Sequence, residues 1–144
     1  LIVKDVLFSF PPVGPVDTDG DGMSDDYEIA NGLNPNSNAD KLTDKDGDGQ
    51  ANCAEFLAGT AANDPNSTLK IMDIVPSGVA NVYNVSVATV IGKKYQLRES
   101  SDLGAADAWA NYGAVFTATA ATTVVPINVT GLGDKHFVEV KVVP

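Results

Sequence analysis

The chain has few of the residues from which most enzymes and disulfide scaffolds are built. Its single cysteine, Cys53, excludes an internal disulfide framework. Its single histidine, His136, has no second histidine for an imidazole metal site or a triad, and no serine stands in a G-x-S-x-G setting. No basic cluster offers nucleic acid a footprint. The longest apolar runs are far shorter than a bilayer span, and no basic n-region with an apolar h-region precedes a cleavage site. A secreted protein of this sequence is expected to have lost its signal upstream of Leu1.

Acid, by contrast, is plentiful and concentrated. Residues 17 to 64 hold 12 of the 19 Asp and Glu residues and only two lysines, so this segment carries the whole formal net charge of -10. The remainder, with seven acids and seven bases, is neutral. Charge confined to one segment points to a local cause, cation binding, over a general solubility effect.

Within the 144 residues, 44% of them hydrophobic, three segments are expected. Residues 1 to 16 read as a strand, LIVKDVLFSF, with Ile2, Val6, Phe8 and Phe10 on one face, followed by the spacer PPVGPV, whose prolines cannot continue a ladder. Residues 17 to 67 contain a repeat at a 27-residue offset: DTDGDGMSDDYEIANG matches DKDGDGQANCAEFLAG. The following NPNS (34 to 37) recurs as DPNS (64 to 67), as though after a three-residue insertion. Each unit predicts an acidic loop, a short helix and a glycine stop at Gly32 or Gly59.

Residues 68 to 144 change to β-branched and aromatic runs: LKIMDIV, VANVYNVSVATV, KKYQLRES, AVFTATA, TTVVPINV and KHFVEVKVV. The expected fold is therefore mainly β: a small antiparallel β-sandwich-like domain joined to a loop-helix repeat module with two short helices.

The acidic loops carry the chemistry. Numbered from Asp17, the first places oxygens at positions 1 (Asp17), 3 (Asp19), 5 (Asp21), 7 (the Met23 carbonyl), 9 (Asp25) and 12 (Glu28), with Gly22 at 6. The second repeats this with Asp44, Asp46, Asp48, the Gln50 carbonyl, Asn52 and Glu55, and with Gly49 at 6. Alternate residues of a tight loop aim carboxylates at one centre, the glycine permits the sharp turn, and the glutamate closes the shell from the first helical turn. An all-oxygen set without sulfur or imidazole favours Ca2+ at both sites over zinc or copper. The prolines ahead of the first loop leave no room for an entering helix, so each unit is half of an EF-hand.

The loop, helix and glycine unit followed by NP or DP resembles the bacterial thrombospondin type 3-like calcium repeats and, more loosely, dockerin modules. Through IGKKYQLRESSDL, Trp109 and HFVEVKV, the downstream part resembles the small β module that often follows such repeats in secreted bacterial proteins. The resemblance implies an extracellular or cell-surface, non-catalytic, calcium-rigidified spacer or attachment module, with affinity on the order of 10⁻⁴–10⁻³ M. Dockerins usually carry a hydroxyl pair for cohesin at positions 10 and 11, where this chain has Asp26-Tyr27 and Cys53-Ala54.

Partners other than calcium are expected to be protein subunits or a cell-surface component. The strand at residues 1 to 10 has two readings. It completes this chain's own β domain or a preceding one, or it inserts into a neighbouring subunit and builds a homo-polymer. Trp109, Tyr112 and Tyr83 likewise read either as packing or as a sugar-stacking platform on a binding module of a larger secreted enzyme.

Overall fold

The computed structural model describes residues 14–105, 108–131 and 136–144. The strand expected at residues 1 to 10 lies outside the described residues. Two short helices, α1 (Asp25–Asn31) and α2 (Asn52–Ala58), precede six strands: β1 (Ile71–Pro76), β2 (Val82–Ala88), β3 (Lys94–Ser100), β4 (Ala110–Thr117), β5 (Thr122–Asn128) and β6 (Phe137–Val143). The strands form two three-stranded antiparallel sheets, ordered β1-β2-β5 and β4-β3-β6. The protein is thus mainly β, as expected. No described helix is long and apolar enough to cross a membrane.

Period-two alternation explains the sandwich. On β2, Val85 and Val87 are fully buried while Asn84, Ser86 and Ala88 between them remain partly exposed. These valines meet Leu97 of β3 and Ile127 of β5, so both sheets feed one core, rimmed by Ile71, Tyr112, Phe116, Val125, Val138 and Val140. Burying each such side chain stabilises the fold by about 1.5–3 kcal/mol. Pro126 lies on β5, an edge strand, where its missing N–H breaks no inner ladder.

Among the strands, β4 departs furthest from its expected bounds. The run AVFTATA places β4 at 114 to 120, yet the strand begins at Ala110 and ends at Thr117. Gly113, just ahead of that run, sits at a bulge inside the strand with φ 66°. Tyr95 pairs with Phe116 but Leu97 with Tyr112, so three residues of β4 oppose Gln96 alone. Gln96 is buried there, and its amide nitrogen donates to the carbonyls of Leu97 and Tyr112 at 2.8 Å each.

The repeat module rests on the sandwich through specific polar ties. Lys93 Nζ donates to the Leu57 carbonyl at 3.0 Å, and the Gln50 side chain donates to the Leu69 carbonyl at 2.9 Å and to Thr68 Oγ1. The two repeat units also touch each other. Tyr27 of α1 and Phe56 of α2 meet edge to face with ring centroids 5.0 Å apart, and the Tyr27 hydroxyl donates to the Thr60 carbonyl at 3.1 Å.

The 27-residue period extends further than the sequence suggests. The Ser37 N–H bonds the Asn34 carbonyl as the Asp64 N–H bonds the Ala61 carbonyl, and Asn34 N bonds Asp40 as Ala61 N bonds Ser67. Structurally, then, Asn34 to Asp40 corresponds to Ala61 to Ser67 without an insertion. The likeness of NPNS to DPNS is three residues out of step with the fold.

Candidate metal centre

The two acidic loops are built by the same bonds. Asp17 accepts from the N–H groups of Gly20 and Gly22 at 2.8 and 3.0 Å, and Asp44 accepts from those of Gly47 and Gly49 at 2.7 and 2.8 Å. Asp19 Oδ1 accepts from Asp21 N and Asp46 Oδ1 from Asp48 N, both at 3.2 Å. Asp21 Oδ1 accepts from Met23 N at 2.8 Å and Asp48 Oδ1 from Gln50 N at 2.7 Å. Short side chains bonding the backbone two residues ahead curl the chain without a sheet or helix to guide it. The curl needs φ 97° at both Gly22 and Gly49, where a Cβ would meet no neighbour within 4 Å. The glycine is therefore required for its backbone angle and not for space.

Each loop runs directly into its helix, whose fourth residue is Glu28 or Glu55. Both glutamates are fully buried. Ser24 caps α1 by accepting from Tyr27 N at 3.3 Å, whereas Ala51, at the corresponding place before α2, provides no side-chain cap.

The decisive feature is the set of oxygens left over. In the first loop, Asp19 Oδ2, Asp21 Oδ2 and both Glu28 oxygens are buried without a hydrogen-bond partner, and so is Asp40 Oδ1 from the segment joining the repeats. In the second, Asp46 Oδ2, Asp48 Oδ2 and both Glu55 oxygens are in the same condition. Among the described residues, every buried side-chain polar atom without a partner belongs to these two groups. A buried carboxylate oxygen without a donor costs several kcal/mol unless a cation compensates it.

Among the described residues, no side chain supplies that compensation. The ion pairs among the described residues, Arg98 with Glu139 and His136 with Glu99, are both in the sandwich. The two lysines near the loops donate to backbone carbonyls, Lys41 to Asp21 and Lys45 to Gly32. Burial first, and then repulsion from Asp19, Asp21 and Asp40, pushes the Glu28 carboxyl up to about 7. Burial, followed by Asp46, Asp48 and Asp44, pushes Glu55 up to about 7 as well. Asp44 moves down, chiefly because the Gly49 N–H bonds its charged form. The Tyr27 phenol is raised by burial and by Glu55, which keeps it a hydrogen-bond donor.

Three groupings bring carboxylate oxygens within 4.8 Å of one another: Asp17, Asp19 and Asp21; Asp21, Glu28 and Asp40; and Asp44, Asp46 and Asp48. Oxygens sharing an ion at about 2.4 Å can be no further apart than this. The acidic clusters can therefore hold a metal ion, and their all-oxygen donor set suits a hard divalent cation.

Asp25 and Asn52, the ninth residues of the loops, are used differently. Asp25 accepts from Thr18 N at 2.8 Å and from Thr18 Oγ1 at 2.6 Å, and Asn52 Oδ1 accepts from Lys45 N at 3.1 Å. Each braces the second residue of its loop and contributes no oxygen to the unpartnered set. Met23 and Gln50 stand where a carbonyl ligand is expected, and the Gln50 side chain points to the sandwich. Asp40 lies 12 residues beyond Glu28 and outside the loop pattern. Only the 27-residue register, which makes it the counterpart of Ser67, singles it out in the sequence.

Comparison with protein-family models, curated proteins and solved structures finds no match to this chain.

Proposed function

We propose that the chain is a non-catalytic, extracellular calcium-binding structural module. Two Ca2+ ions, one per loop, supply the positive charge the carboxylates lack and hold the repeat pair in shape against the sandwich. The first ion is held by Asp17, Asp19, Asp21, Glu28, Asp40 and the Met23 carbonyl. The second is held by Asp44, Asp46, Asp48, Glu55 and the Gln50 carbonyl. The observation that carries this reading is the confinement of all unpartnered buried oxygens among the described residues to these two groups. Calcium is preferred to magnesium because two glutamates with both oxygens free suit a shell of six to eight oxygens better than a tight octahedron. The resemblance to thrombospondin type 3-like repeats supports the same reading and, with it, secretion.

A role in assembly, with residues 1 to 10 entering a neighbouring subunit, is supported by β1, which among the described residues is an edge strand and exposes Met72, Ile74 and Val75. Light scattering on the chain lacking residues 1 to 10 tests it, and an unchanged oligomeric state refutes it. A sugar-stacking platform fares less well, because Tyr112 packs on the core and its hydroxyl accepts from Asn128 N at 2.6 Å.

The calcium reading is tested by titrating the chelated protein with calcium while recording far-ultraviolet circular dichroism and thermal melting. Helical signal and melting temperature are expected to rise in the natural sequence and to stay flat when Glu28→Gln and Glu55→Gln are combined. No response of the natural sequence overturns the reading.

A further inference from the structure

Although their loops are alike, the two units are joined unequally. The helix that carries Glu28 has its own cap in Ser24, and its site gains the Asp40 carboxylate. The helix that carries Glu55 begins after Ala51, which caps nothing, and the residue equivalent to Asp40 is Ser67, whose hydroxyl is taken by Ala61 N at 2.9 Å. The first amides of α2 find their acceptors in the segment that Asp40 begins. Asn52 N donates to the Thr43 carbonyl at 2.9 Å and Cys53 N to the Lys41 carbonyl at 3.1 Å. The Asp40 carbonyl itself accepts from Asn52 Nδ2 at 2.8 Å and from Thr43 N at 3.0 Å. Asn52 in turn holds Lys45 N, the second residue of the second loop.

We infer that the two sites fill in a fixed order and are positively coupled. An ion in the first loop fixes Asp40, and the Asp40–Thr43 segment then sets the start of α2 and with it Glu55 of the second site. This rests on the calcium reading above. The first site is tighter because it has one more carboxylate and a self-capped helix. The second is weak until the 40–43 segment is ordered, because the cost of ordering that segment otherwise falls on the second ion. Coupling of this kind is reciprocal in equilibrium terms, so the second ion must also tighten the first.

Isothermal titration of the full chain with calcium should show two steps, the tighter first. Glu55→Gln should leave only the tight step, with its constant unchanged. Glu28→Gln should leave one step weaker than the natural second step by about five-fold or more. Asp40→Asn should weaken the first step by about ten-fold or more, and Asn52→Ala should weaken the second alone. Two equal and independent sites, or a Glu28→Gln constant equal to that of the natural second step, would overturn the inference while leaving two calcium sites in place. Absence of binding to the natural sequence would instead overturn the calcium reading itself. Trp109 fluorescence, reporting on the sandwich, identifies any variant that has failed to fold.

Discussion

The two halves of this molecule hold together for opposite reasons. The sandwich buries Val85, Val87, Leu97 and Ile127, and its Arg98 pairs with Glu139 while His136 contacts Glu99. The repeat module instead places carboxylates at its centre, and its largest fully buried side chains are Met23, Glu28, Glu55 and Asn52. A hydrophobic core contributes stability whether or not a metal ion is present. A core of like charges is stable only with what it binds. On the calcium reading, the same chain thus contains one region indifferent to metal and one that depends on it.

The comparison fails if the two regions respond alike. In excess chelator the module is expected to lose its helical circular dichroism while Trp109 in the sandwich keeps its near-ultraviolet signal; simultaneous loss of both would show a single cooperative unit. Leu97→Ala should cost about 2–5 kcal/mol of sandwich stability, equally with and without calcium, as measured by denaturant unfolding of the Trp109 signal. pH should separate the halves next. Because Glu28 and Glu55 titrate near 7 in the metal-free fold, against an ordinary value of 4.5, folding favours their protonated forms. Without metal, the module's stability is then greatest at or below about pH 4.5 and falls as pH rises through about 7. With calcium the trend should reverse, because protons compete with the ion, and melting curves at pH 5 and 8 decide the sign.

Smaller substitutions sharpen the contrast. Gly49→Ala should destabilise the second loop by about 1–2 kcal/mol through its backbone angle, seen as a weaker second calcium step with the sandwich melt unchanged. Tyr27→Phe removes the bond to the Thr60 carbonyl and should cost about 0.5–1.5 kcal/mol, confined to the module's melting transition.

Much of this was legible in the residues. Between residues 68 and 144 six strands are expected, and six are present among the described residues, because most are short β-branched or aromatic runs bounded by turns. Where the reading and the fold part, local pattern met a tertiary solution. Gly113 sits at a bulge in β4, yet Gln96 on the neighbouring strand satisfies the carbonyls that the bulge frees. The acidic loops were legible because their spacing is dictated by one centre. Asp40 was not, since its place depends on the turn between repeats, and NPNS and DPNS, which make the same local turn, suggest a register three residues away. Asp25 and Asn52 show the converse: a residue at the ligand spacing can be used to brace the loop backbone instead.

The ties of Gln50 and Lys93 to the sandwich and module have a mechanical consequence. Between Gly14 and Thr68 the described chain has no strand, only curled loops and two helices of seven residues each. If ions hold those curls, a pull along the chain meets a folded spacer when calcium is present. When calcium is withdrawn it meets slack that can pay out to roughly 170 Å for residues 17 to 67. The module would then act as a length adjuster set by the surrounding calcium, with the sandwich as the fixed end against which the slack is measured.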